Sequence, residues 1–228
     1  MRKQQSGFTL VEIAIVLVII GLLLGGILKG QELINSARVK NLANDFRTIP
    51  TYIYAYQDKF KALPGDDNAV AAHIGATATQ ATTPAASQGN GVINGNWNTT
   101  TNTDESFLFW QHVRLANLAS GPTAVGDATY IPKNATGGDI GISSASSGQV
   151  QVVGMTGTYQ ICSKGILGSF VVQLDVQMDD GQPCTGSMRA VADNAALGSQ
   201  PVRSAGFPAS CTGTDIDPAT SYTVCMTF

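Results

Sequence analysis

From Phe8 to Leu28 the chain runs through 21 residues that contain a single charge, Glu12. As a helix rising 1.5 Å per residue, such a run spans about 31 Å, the thickness of one bilayer core. A helix that is apolar on every side needs lipid or other apolar helices around it. A carboxylate within lipid costs on the order of 2.5–3.5 kcal/mol, so Glu12 requires a partner or a role.

Seven mostly polar residues, among them Arg2 and Lys3, precede this run and end at Gly7. An ordinary secretory signal has an apolar stretch of about 7–15 residues that closes on a small-x-small cleavage site. Here the stretch is longer and ends Gly25-Gly26-Ile27-Leu28-Lys29-Gly30. A plain signal anchor, with Arg2 and Lys3 retained in the cytoplasm, explains neither the Gly7–Phe8 junction nor the place of Glu12. The combination resembles the class III signal of type IV prepilins and their relatives, the type II secretion pseudopilins included. That resemblance implies cutting by a prepilin peptidase between Gly7 and Phe8, N-methylation of Phe8 and a mature chain of 221 residues. It also implies an assembly role for Glu12, whose carboxylate would pair with the new α-amino group on Phe8 of a neighbouring subunit. Gly21/Gly25 and Gly26/Gly30 are spaced by four, the small-xxx-small pattern of close helix approach in membranes, or else sites of local unwinding.

Beyond Lys29 the pattern changes. Val39, Leu42, Phe46, Ile49, Ile53, Tyr56, Phe60 and Leu63 recur at alternating spacings of three and four. This is one apolar stripe on a helix, with Arg38, Lys40, Asp45, Arg47, Asp58 and Lys59 off it. It reads as a seam against the chain's own head. Pro50 predicts a kink, and Leu63-Pro64-Gly65-Asp66 a firm stop. From Phe8 to Lys61 the helix would be roughly 80 Å long. The expected organisation is a leader over 1–7, a membrane or filament-core helix over 8–28, its amphipathic continuation over 29–63, and a β-rich head over 64–228. The fold class is α+β: a long N-terminal helix packed on an antiparallel sheet, pilin-like.

Within the head, Gly75–Thr103 is rich in Thr, Ala, Asn and Gly and reads as an exposed loop, with Asn90-Gly91 and Asn94-Gly95 as turns. Phe107, Leu108, Trp110, Leu115 and Leu118 mark a short helix with acids in its first turn and Gly121 past its end. Val150–Ile161 reads as a strand broken by Gly154 and Gly157. Tyr222, Val224, Met226 and Phe228 alternate with polar residues or cysteine, a half-buried C-terminal strand. Ser169–Asp180 fits both periods. Helix is preferred, with Ser169 as N-cap and Gly181 as the left-handed stop, because the string from Leu174 to Gly186 resembles a helix-then-turn of prepilin-like proteins.

The cysteines Cys162, Cys184, Cys211 and Cys225 show no zinc spacing, and beyond the cytoplasmic membrane two disulfides are the default. Of the three possible connectivities, the shortest loops favour Cys211–Cys225 and Cys162–Cys184. The first would resemble the C-terminal loop of type IV pilins, holding Asp215, Asp217 and Pro218 outward. His73 reads as a loop residue and His112 as a helix-surface residue. Trp97, Trp110 and the tyrosines read as core. No nucleophile elbow, phosphate loop or HExxH motif occurs, so no enzyme is expected. Asp66-Asp67-Asn68, Asp175/Asp179/Asp180 and Asp215/Asp217 are oxygen-rich, which makes calcium the one cofactor to consider, although none has EF-hand spacing.

Two of the 13 basic residues lie in the leader, leaving 11 against 16 acidic, an excess that does not favour phosphate binding. Patches on Arg38, Lys40, Arg47, Arg189 or Arg203 keep DNA uptake only as a minor reading. The expected function is structural: a subunit of a type IV pilus, with a type II secretion pseudopilin or a low-copy minor pilin with an adhesive or DNA-binding head as alternatives. Expected partners are copies of itself and other pilins, the prepilin peptidase, the inner-membrane assembly platform and the cytoplasmic membrane. The expected location is the bacterial inner membrane first, then an extracellular pilus or a periplasmic pseudopilus.

Overall fold

The structure is a computed structural model that describes residues 7, 9–145, 149–204, 211 and 213–228. Helix α1 (Leu10–Phe60) opens the chain. The residues divide into two compact units, Met1–Arg38 and Val39–Phe228. In the first unit every described residue from Thr9 to Lys29 is exposed. The most apolar 18-residue window of α1 has a mean hydropathy of 2.8 with none of it buried, and α1 is long and apolar enough to cross a membrane.

In the second unit α1 behaves as its stripe predicts. Val39, Leu42, Phe46, Ile49, Ile53 and Tyr56 are buried, Phe60 is half-buried, and Arg38, Lys40, Arg47, Asp58 and Lys59 stay in solvent. Asp45 departs from the pattern and is half-buried. The helix continues through Pro50. It stops where Lys61 turns left-handed (φ 57°) and donates its N–H to the Gln57 carbonyl. Gly65 follows at φ 93°, and a Cβ there would overlap the Glu105 carbonyl oxygen. Glycine is thus required where the chain leaves α1 and passes the next long helix.

The head adds α2 (Val70–Ile74), α3 (Glu105–Leu115) and α4 (Gly168–Met178) to strands β1 (Ile140–Ser144), β2 (Tyr159–Leu167), β3 (Met188–Ala192) and β4 (Ser221–Thr227). The strands form one antiparallel sheet in the order β1-β2-β4-β3, so the fold is α+β and pilin-like. Alternation along the strands sends residues to both faces. Ile140, Ile142, Ile161, Ala190 and Val224 join the α1 stripe, α3 and α4 in the main core. Cys162, Val191 and Cys225 point the other way and pack with Trp97, Val152 and Met155.

Several expectations need correction. Residues 169–180 are mainly helix, but the helix starts at Gly168 with Leu167 as its N-cap rather than Ser169. Glycine is required at that start, since a Cβ on Gly168 would strike the Asp217 carbonyl. Strand β2 begins only at Tyr159, because Gly154 (φ 75°) turns the preceding segment away. Strands β1 and β3 carry no alternating signal and are additional. The stretch 75–103 is irregular as expected, yet Ala81, Ile93 and Trp97 within it are buried.

The disulfides are also corrected: Cys162 pairs with Cys225 and Cys184 with Cys211. Loop length was the wrong criterion. Strands β2 and β4 are neighbours, and Cys162 stands directly opposite Cys225 in their register, 4.1 Å apart at Cα. Asp215, Asp217 and Pro218 are exposed nonetheless. Cys162–Cys225 closes a separation of 63 residues, worth about 4 kcal/mol in the chain-entropy account. A non-reduced digest of the protein should yield Cys162–Cys225 and Cys184–Cys211 peptides. Replacing Cys162 and Cys225 by Ser together should lower stability by about that amount, read from denaturant unfolding.

Candidate functional site

Gly7 is exposed, and Phe8, expected at the cleavage junction, lies outside the described residues along with 1–6. What the structure does define is how α1 starts. The Thr9 N–H and hydroxyl both donate to Glu12 Oε2 at 2.8 Å, and the Glu12 N–H donates back to Thr9 Oγ1 at 3.3 Å. This is a capping box, in which Thr and a Glu three residues on satisfy each other's end groups. The Thr9-Leu10-Val11-Glu12 string carries that signature openly, and sequence reasoning that looked only at the charge passed over it. Among the described residues both Thr9 donors go to the same carboxylate oxygen, Oε2. Added Cβ atoms on Gly21, Gly25, Gly26 and Gly30 would meet nothing within 4 Å. No described residue therefore requires these glycines, while close approach of another helix would use them.

In the head the carboxylates act on the chain's own backbone. Asp66 accepts the N–H groups of Gly89, Asn90 and Gly91 at 2.5, 3.2 and 2.7 Å. Glu105 accepts from the Ser87 hydroxyl and from both nitrogens of Asn94. Asp104 accepts from Thr83 and Thr99 hydroxyls. Asp67 takes the Tyr56 hydroxyl, the Ala69 N–H and His73 Nδ1. Burial pushes the Asp66 and Glu105 carboxyls up, and these bonds pull them part of the way back. Four acids thus hold the long loop and the α1 exit in place, and Asp66 and Asp67 have little left for a metal.

The histidines are placed differently from expectation. His73 lies in α2, half-buried and 2.6 Å from Asp67. His112 is fully buried in α3. The Gly65 N–H donates to its Nδ1, which puts the ring proton on Nε2, donated to the Thr79 carbonyl at 2.8 Å. Burial holds its pKa below the usual value, so this is a neutral structural imidazole. Trp97 and Trp110 are in the core, as are Tyr56, Tyr130, Tyr159 and Tyr222, whereas Tyr54 is exposed and Tyr52 half-buried.

Of the calcium candidates, Asp215 is paired with Arg203 at 2.6 Å. Asp179 accepts the Met188 N–H, and Asp180 accepts the Gln182 N–H and the Thr185 hydroxyl. Asp175 is fully buried, and neither of its oxygens makes a well-formed hydrogen bond. Among the described residues, no three His, Cys, Asp or Glu side chains converge to hold a metal ion. Of the basic residues, Arg203 is engaged by Asp215 and Arg189 by the Val153 carbonyl.

Burial first, then the negative charges of Asp180 and Asp179, push the Asp175 carboxyl from 3.8 up to about 7. The native state therefore holds this proton more tightly than the unfolded chain does. Its contribution to stability is full below about pH 4 and is lost as pH rises to about 7, by at most roughly 4 kcal/mol. Asp175→Asn removes that titration but leaves amide groups without partners. The variant should be more stable than the parent by about 2 kcal/mol at pH 8 and less stable than it by about the same amount near pH 4. Urea unfolding at the two pH values measures both.

The prokaryotic N-terminal methylation motif matches residues 2–28. Comparison with curated proteins and with solved structures gave no match. The matched segment holds the Gly7–Phe8 junction, the capping box and the exposed apolar half of α1. The chain carries a prepilin-type, class III signal, and that signal supports a type IV pilin-like or pseudopilin precursor.

Proposed function

We propose that a prepilin peptidase cuts the chain between Gly7 and Phe8, that Phe8 is then N-methylated, and that the mature protein is a structural subunit of a type IV pilus. In this reading residues 1–7 are a leader, 8–28 lie first in the cytoplasmic membrane and later in the filament core, and 29–63 continue the helix into the head, 64–228. The partners are copies of itself and other pilins, the peptidase and the inner-membrane assembly platform. The filament then lies outside the cell. The protein has no catalytic role in this reading.

The observation that carries it is an apolar helix with none of its most apolar window buried, behind a methylation motif and bearing one carboxylate. Such a surface has to be covered, and the two available covers are lipid and other apolar helices. Glu12 fits the second. One of its oxygens closes the helix end on Thr9 and the other can accept an ammonium from a neighbour's Phe8.

The cap and the charge separate by substitution. Glu12→Gln retains a side chain able to complete a capping box but loses the charge. Glu12→Ala loses both. Both variants should keep a folded head and fail to assemble, with surface filaments reduced at least tenfold. Normal filaments from Glu12→Gln would assign the residue to capping alone. Filaments sheared from cells should contain a chain that starts at methylated Phe8 and is about 4 Da lighter than its reduced form. A processed chain confined to the membrane fraction would instead make the protein a pseudopilin or a minor pilin.

A further inference from the structure

A cavity of about 180 Å³ lies in the second unit between α1, the end of α3 and the segment before β1, and Asp45, Tyr52, Trp110, Arg114, Ser120 and Lys133 are among its lining residues. It holds two opposite charges that do not meet each other. Arg114 is only 6 % exposed, yet among the described residues no carboxylate forms an ion pair with it, the exposed Asp127 acting on it only electrostatically. One of its terminal nitrogens donates to the carbonyls of Pro122 and Tyr130, while its buried Nε has no partner. The Trp110 and Tyr130 rings lie 5.7 and 5.2 Å from the guanidinium carbon and fix its plane.

Asp45 is the one charged residue off the α1 stripe that is drawn inward, and it makes no hydrogen bond or ion pair among the described residues. Desolvation pushes its carboxyl up to about 6. Tyr52 lies within electrostatic reach of both charges: burial and Asp45 raise its hydroxyl's pKa, and Arg114 lowers it. Lys133 on the wall is already paired with Asp139.

Neither charge has a partner at ion-pair distance, Arg114 having only the exposed Asp127 in electrostatic reach, and a charge drawn out of water without a close partner is costly. An anion entering the cavity would satisfy Arg114 and be opposed by Asp45. A cation or metal ion would meet the reverse. Only a ligand that carries both signs answers both groups. The volume corresponds to about six waters at ~30 Å³ each, well below the range of drug-sized pockets. We propose that this cavity is a binding site for a small zwitterion of the α-amino acid class, its ammonium received by Asp45 and its carboxylate by Arg114. The fixed guanidinium supplies preorganisation, and Tyr52 lines the same cavity.

The test uses the full chain in detergent micelles, titrated calorimetrically with glycine and with alanine, and separately with acetate and with methylammonium. Glycine and alanine should bind one to one in the millimolar range, with each single-charge probe at least tenfold weaker. Asp45→Asn should weaken glycine binding at least tenfold and, by removing the opposing charge, strengthen acetate binding. Arg114 is left intact because it also holds the Pro122 and Tyr130 carbonyls. Absence of saturable glycine and alanine binding to the parent protein overturns the proposal. So does acetate or methylammonium binding as tightly as glycine, which reduces the site to a single-charge pocket. The probe comparison on the parent chain decides the matter even if Asp45→Asn fails to fold.

Discussion

The head depends on one pairing, that of β2 with β4. These strands are central in the sheet, and their register sets Cys162 against Cys225 and Ile161 against Met226. Because they are far apart in sequence, everything between them must be housed around the pair. Helix α4 packs against β2, β3 and β4, and β3 closes the far edge of β4. The disulfide staples the two strands on the face that Trp97 and Val152 cover. The other face is left to Ile161 and Val224, which meet the α1 stripe, so one register serves both cores.

Where the chain has no regular structure, buried carboxylates take over the work of a ladder. Residues 75–103 form no named helix or strand, yet their backbone donors still need acceptors. Asp66 supplies them for three consecutive residues, and Glu105 and Asp104 for side chains and backbone further along. The acids come from the α1 exit and the start of α3, so the loop is fastened to the two helices that build the core. The raised carboxyls of Asp66 and Glu105 measure the desolvation that this arrangement incurs. Of the acids that in isolation suggested calcium, Asp66 and Asp67 are thus spent on amide, hydroxyl and imidazole groups of the chain itself.

The parts of the fold legible in the sequence are those with a long, regular period. The stripe from Val39 to Leu63 named its own buried face, since seven turns of consistent spacing leave one solution. Helix α3 and strand β4 were readable for the same reason. Strands β1 and β3 were not, because five residues such as Ile140-Gly141-Ile142-Ser143-Ser144 are buried on both faces and show no alternation. The cysteine pairing was illegible because register, rather than sequence separation, brings thiols together. His112 sits on a helix that is buried nearly all round, so its position on the helix could not reveal its burial. At the N-terminus the signal was fully written in Gly7, Phe8 and Glu12, while the capping role of Glu12 needed Thr9 beside it. The Asp45–Arg114 cavity joins residues from different elements, and no local pattern announces it.

The apolar half of α1 carries a thermodynamic consequence for assembly. Leucine and isoleucine side chains are about as well accommodated by lipid tails as by one another, so moving them from bilayer to filament yields little hydrophobic gain. Close approach at Gly21, Gly25, Gly26 and Gly30 adds dispersion contacts, small individually. Glu12 is the group whose surroundings differ most between the two environments. Among the described residues its carboxylate has only the Thr9 donors, both on one oxygen. In the filament proposed above, the other oxygen would gain a cation from a second subunit, and the charge would no longer oppose burial. A single acid in an apolar run is therefore unfavourable in the membrane to the same degree that it favours leaving it. That difference can drive assembly from a segment whose remaining residues are nearly indifferent to the choice.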